Sequence, residues 1–166
     1  MMTKETVKGT VFDFKKTEGD WFDYFESHIN IQEGEVIYDE PIPGTGQARF
    51  RSTFPFIQEF TKKREKEKQS KFVLNTKSKA MEWVEWIPSL TVAEQKQYTE
   101  DMVDYACTGL ERFFDAEGNA LECTRENKLK LSDVPMFDRF MARCLELQTN
   151  ARIKQKEVAE KNSKKP

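Results

Sequence analysis

The chain has 166 residues, 37% of them apolar and 34% charged, with a formal net charge of -2. That is the size of one ordinary domain, and a charge so near neutral gives no general attraction to nucleic acid or to an anionic membrane surface. Thirteen Phe, three Trp and four Tyr exclude wholesale disorder, because each buried aromatic removes about 150–250 Å² from water.

Taken in chain order, the opening MMTKETVKGT lacks the apolar core of a secretory leader, and no apolar run reaches the roughly 20 residues that span a bilayer. TVKGTVFDF (residues 6–14) and EVIYDE (residues 35–40) are β-branched or aromatic runs with partial alternation, which predict strands. GDWFDYFESHI between them suits either a helix face or a strand. EPIPGTG is a loop by its Pro and Gly content. In ARFRSTF, Ala48, Phe50 and Ser52 alternate against Arg49, Arg51 and Thr53, a strand pattern.

Residues 55–71 read as a helix whose apolar face is Phe56, Ile57 and Phe60. Its second half, TKKREKEKQSK, has nothing apolar to bury and is expected to project or fray, held by charge pairs of about 0.2–0.5 kcal/mol each. SKAMEWVEWIP predicts a strand with large apolar groups on both faces, hence partly covered on both sides, and closed by Pro88.

Beyond it Thr91 and Glu94 match a capping box, and Met102, Val103, Ala106 and Leu110 recur at helical spacing up to Phe113. DAEGN supplies a turn, and Thr124 is placed to cap a short helix over residues 125–131. Ser132, followed by Asp133, is read as the cap of the last helix. Val134, Met136, Phe137, Phe140, Met141, Cys144, Leu145 and Leu147 form one stripe along it. Strands first and helices later predict an α+β fold, a small mainly antiparallel N-terminal sheet followed by a helical C-terminal half. The division is a single domain over residues 1–150, strand-rich to 90 and helical from 91, with a lysine-rich flexible tail at 151–166.

Residue chemistry argues against most catalytic roles. Residues 115–126 imitate a calcium-binding loop, with Asp115, Glu117, Asn119 and Glu126 at ligand places, but the sixth place needs Gly and holds Ala120. A solvated loop is the simpler reading, and no metal or cofactor is expected. His28 is the only histidine and cannot build a multi-His site. Three cysteines without CxxC spacing fit a reduced cytosolic compartment. Only Cys123, just before a helix start, sits where a thiolate gains support. PGTGQ lacks the phosphate-loop lysine and the dinucleotide fingerprint. The acid pairs Glu33/Glu35 and Asp39/Glu40 read as a wet rim. Lys62, Lys63, Arg64, Lys66 and Lys68 form a basic arm, interrupted by Glu65 and Glu67 and without stacking aromatics, so a solvated helix face is favoured over nucleic-acid contact.

The segment DYACTGLERFFDAEGNALECTRENKLKLSDVPMFDRFMARCL resembles a group of small phage and prophage proteins, through Gly109, Asp115, Gly118, Asn119, Cys123, Thr124, Asn127, Lys128, Pro135, Phe137 and Phe140. The likeness covers residues 81–147 and is a pattern of turns, caps and packing residues. Such proteins are similar to tail assembly chaperones or minor tail-region proteins of long-tailed phages. The resemblance implies a non-enzymatic adaptor in the bacterial host cytoplasm, docking on the tape-measure protein or tail-tube subunits, with no active site. Phe137, Phe140, Met141 and Leu145 would be its partner surface if the stripe were uncovered; closing the domain core is the favoured role for them. A nucleic-acid-binding regulator, a minor virion component and an enzyme using Cys123 are the rivals.

Overall fold

The computed structural model describes residues 18–163; the strand expected at residues 6–14 lies outside them. The architecture is α+β, with antiparallel sheets in the N-terminal half and a long C-terminal helix. Four short strands come first: β1 (Asp20–Asp23), β2 (Ser27–Asn30), β3 (Glu35–Tyr38) and β4 (Gln47–Phe50). The ambiguous aromatic stretch is therefore two strands, broken at Tyr24–Glu26. Helix α1 (Phe54–Lys66), the hairpin β5 (Gln69–Leu74) and β6 (Met81–Trp86), and helix α2 (Val92–Ala106) follow. Strand β7 (Cys107–Glu111), helix α3 (Arg125–Ser132) and helix α4 (Pro135–Ser163) complete the order.

The central sheet runs β1-β4-β7, all antiparallel, so the C-terminal half contributes a strand to the N-terminal sheet. The two halves share one core. The inward side chains of β4, Ala48 and Phe50, are fully buried against Phe137, Phe140, Met141 and Cys144 of α4. Four α4 residues at helical spacing thus meet two β4 residues at strand spacing, the two periodicities that place side chains on one face. The stripe is the core, and Phe137, Phe140 and Met141 are buried with Leu145 packed beside them. No partner reaches that face while the domain is closed.

Several boundaries differ from the sequence expectation for nonlocal reasons. The helix expected through Phe113 ends at Ala106, because residues 107–111 pair with β4 in the register Ala48↔Leu110 and Arg49↔Gly109. The helix expected through residue 71 ends at Lys66, where Glu67 and Lys68 turn the chain and Gln69 begins a strand. Ser132 does not cap α4: it is the last residue of α3, its hydroxyl donates to the Leu129 carbonyl, and α4 starts at Pro135. Proline's fixed φ suits a first helical position. The segment expected as a flexible tail from 151 continues α4 as helix to Ser163, with residues 150–163 exposed. Its Ala, Lys, Glu and Gln are strong helix formers, and extending a nucleated helix costs little. Thr91 and Glu94 do form the capping box of α2, and Thr124 caps α3.

Candidate docking surface

Helices α1 and α2 pack side by side through stacked rings. Phe60 lies 4.3 Å from Tyr98, and Phe56 lies 5.5 Å from both Tyr98 and Tyr105. Ile57, expected on the same apolar face, is exposed instead. The hairpin β5–β6 joins the distal ends of these two helices and is anchored at its root, where the Arg64 guanidinium donates to the Pro88 carbonyl and pairs with Glu67 at 2.6 Å. Its six-residue register pairs Gln69↔Trp86, Lys71↔Val84, Phe72↔Trp83, Val73↔Glu82 and Leu74↔Met81. The tip is an Asx-type turn in which the Asn75 side-chain oxygen accepts from the Lys77 N–H at 2.9 Å.

Successive side chains on a strand alternate between faces, and here that rule separates two surfaces. One carries Phe72, Leu74, Met81 and Trp83, with Ser70 and Glu85 closing its root end. The other carries Lys71, Val73, Glu82, Val84 and Trp86, where the Lys71 ammonium sits 5.2 Å over the Trp86 ring. Partial cover on both sides is the expectation for β6, but every residue of the hairpin strands except Trp86 is exposed, Val73 and Val84 of the second face included, and the first face is the barer. Phe72 is 61% exposed, Leu74 56%, Met81 60% and Trp83 54%. Four adjacent large apolar side chains at that exposure make this face the candidate docking surface.

The basic arm is largely engaged at home. Lys63 pairs with Glu59 at 3.8 Å, Arg64 with Glu67 and Lys68 with Glu85 at 2.5 Å, leaving Lys62 and Lys66 without ion pairs among the described residues. The signature turn is likewise structural. The Asp115 carboxylate accepts from the Asn119 N–H at 2.8 Å and the Glu117 N–H at 3.0 Å, and the Asn119 bond first of all holds this carboxyl below its ordinary range. Gly118 takes φ +85°, the left-handed region that the turn needs. Thr124 accepts from the Asn127 N–H at 3.3 Å, and the Asn127 amide donates to the Glu122 carbonyl at 3.0 Å. Among the described residues no group of three or more His, Cys, Asp or Glu is gathered to hold a metal.

His28 sits on β2, mostly exposed, with Asp39 at 3.7 Å, and among the described residues no hydrogen bond joins it to a thiol. Burial pushes the Cys144 thiol up to about 12. Burial, with Cys123 as neighbour, pushes the Cys107 thiol up to about 12 as well. Cys123 is only half-buried. Alkylation of the folded protein at pH 8 is therefore expected to label Cys123 first, with Cys107 and Cys144 reacting only after unfolding; peptide mass mapping checks it. Equal labelling of all three thiols in the native state contradicts the buried placement.

An ion cluster joins α2 to α3, and the sequence pattern did not reveal it. Lys128 is nearly buried and donates to the Asp104 carboxylate and carbonyl, each at 2.9 Å, while Arg125 reaches Asp101 at 2.7 Å and Asp104 at 3.3 Å. Burial works to raise the Asp104 carboxyl, but the Lys128 hydrogen bond and charge, with Arg125, outweigh it and hold it below its ordinary value. A depressed carboxyl adds stability that is complete above the unfolded value, about 3.9, and lost as pH falls through the folded one. Wild type is therefore expected to exceed Asp104→Asn in stability by a constant margin near neutrality, and the gap should close as pH drops below about 4. Urea midpoints across pH measure it, and a gap that widens in acid contradicts it.

No family model, curated protein or solved structure matches this chain. Among the described residues no helix is long and apolar enough to cross a membrane.

Proposed function

We propose that the chain is a non-enzymatic adaptor of phage tail morphogenesis, similar in role to a tail assembly chaperone, which acts through protein–protein contact. The observation that supports this most is the bare face of Phe72, Leu74, Met81 and Trp83 on a hairpin held away from the core by α1 and α2. Apolar rings standing in water at the end of a two-helix support suit a reversible grip on an apolar client. The charged outer half of α4, exposed over residues 150–163, supplies a second projecting element.

The partner class is a tape-measure protein or a tail-tube subunit, as the resemblance implies. Co-expression with the tail-region proteins encoded beside it is the test. Stoichiometric retention of one of them agrees with the proposal, and no affinity for any of them removes it. Mass spectrometry of finished particles then separates roles: a chaperone departs before completion, whereas a minor virion component stays.

A further inference from the structure

A two-stranded hairpin on its own is at best marginal in water and needs cover on one face to persist. Among the described residues the β5–β6 hairpin receives little: its apolar face remains more than half exposed at every large side chain. We propose that in the free protein this face is covered by the same face of a second copy, packed antiparallel about a two-fold axis. The inference rests on the hairpin alone and not on the tail-assembly reading.

The register makes the face self-complementary. Its apolar rows are Phe72/Trp83 and, one step nearer the tip, Leu74/Met81. A two-fold axis passing between them lays the aromatic row of one copy on the aliphatic row of the other, twice over. The same rotation sets the next row, Ser70/Glu85, opposite the tip of the second copy. That tip, residues 75–80, carries Lys77 and Lys79 and no acid. Glu85 lies on the apolar face, where the Trp83 indole N–H donates to it at 3.3 Å. Apolar rows therefore meet apolar rows, the symmetric i-to-j pattern of a two-fold interface; Glu85 brings no free charge to the tip, because Lys68 of its own copy holds its other oxygen at 2.5 Å. Edge-to-edge pairing of the hairpins would leave the apolar face bare and so does not meet the need.

The area suffices for a weak contact. With Phe72 61% and Trp83 54% exposed, covering each withdraws about 80–150 Å², and with Leu74, Met81 and the rim the two copies together bury at most about 1,000 Å², below the roughly 1,200 Å² of stable interfaces. That places the dimer at the weak, reversible end, open to competition by a client.

Sedimentation equilibrium of the full chain over a wide concentration range is the test. Wild type is expected to dimerise reversibly, and Phe72→Ser with Trp83→Ser to raise the dissociation constant at least about 100-fold, with the urea midpoint of the core unchanged. A wild-type monomer at every concentration overturns the proposal. So does a dimer indifferent to the Phe72/Trp83 change. A monomer leaves the adaptor reading standing, whereas a dimer that binds no tail protein removes only the adaptor reading.

Discussion

Phe140→Ala is expected to lower the free energy of unfolding by about 3–5 kcal/mol. Phe140 is fully buried, and its ring is the hub of the core: Phe25 lies at 4.9 Å, Tyr24 at 5.1 Å, Phe137 at 5.6 Å and Phe50 at 5.7 Å between ring centroids. Three of these neighbours come from the strand-rich half and one from α4 itself, so truncation opens a cavity at the seam between the halves. Rings already meeting edge to face cannot all tilt inward to fill the space, and the loss should approach the full transfer and cavity cost. With domain stability usually about 5–15 kcal/mol, the variant should be marginal. Urea unfolding of the two proteins measures this as a large fall in midpoint at nearly constant slope. Leu147→Ala, on the outer edge of the same helix and 39% exposed, serves as control and should shift the midpoint little. Comparable losses at both positions contradict the seam.

Gly19→Ala is expected to cost about 2–4 kcal/mol through two effects that add. Gly19 has φ +103°, where an L side chain is strained, and a Cβ there would lie 1.9 Å from the Phe50 carbonyl oxygen. That oxygen cannot yield freely. Phe50 is paired across the sheet with Asp20, and its carbonyl also accepts from the Gln148 amide of α4 at 2.5 Å. Pushing the two chains apart therefore disturbs β1, β4 and the seat of α4 together. Thermal unfolding is the check: a midpoint within a degree or so of wild type contradicts the close approach of Gly19 to β4.

Much of this fold is readable from local signals. Thr91 with Glu94 marks the start of α2, Thr124 the start of α3, and the Phe137-to-Cys144 spacing the face of α4 that enters the core. These succeed because a cap or a helical stripe is decided within a few residues. Strand β7 was hidden because Ala106 and Leu110 are also one helical turn apart, while Gly109 between them, across from Arg49 on the other face of the sheet, adds no apolar signal. There the Cβ of any other residue would meet the Trp21 ring at 2.7 Å, a contact only the folded sheet discloses. Strand β5 was masked by the lysine and glutamate run ahead of it; its identity depends on pairing with β6, seven or more residues further on.

The candidate site was legible only in part. MEWVEW announces a strand with apolar groups on both faces, but that both stay largely exposed depends on where α1 and α2 carry the hairpin. The basic arm looked continuous along the sequence, and its charges are divided among Glu59, Glu67 and Glu85 by three-dimensional placement. The Asp104–Lys128–Arg125 cluster joins residues more than twenty apart and carries no spacing rule that a single sequence could expose.

On the function proposed above, the protein works by docking through the β5–β6 hairpin and not by chemistry at His28 or Cys123. Complementation of a strain lacking the gene tests it most directly, by counting tailed particles. On the proposed tail-assembly role, Phe72→Ser with Trp83→Ser should abolish tailed particles, whereas His28→Ala and Cys123→Ser should leave their number unchanged. Normal tails from the hairpin variant, or their loss with either of the other two, would contradict the account.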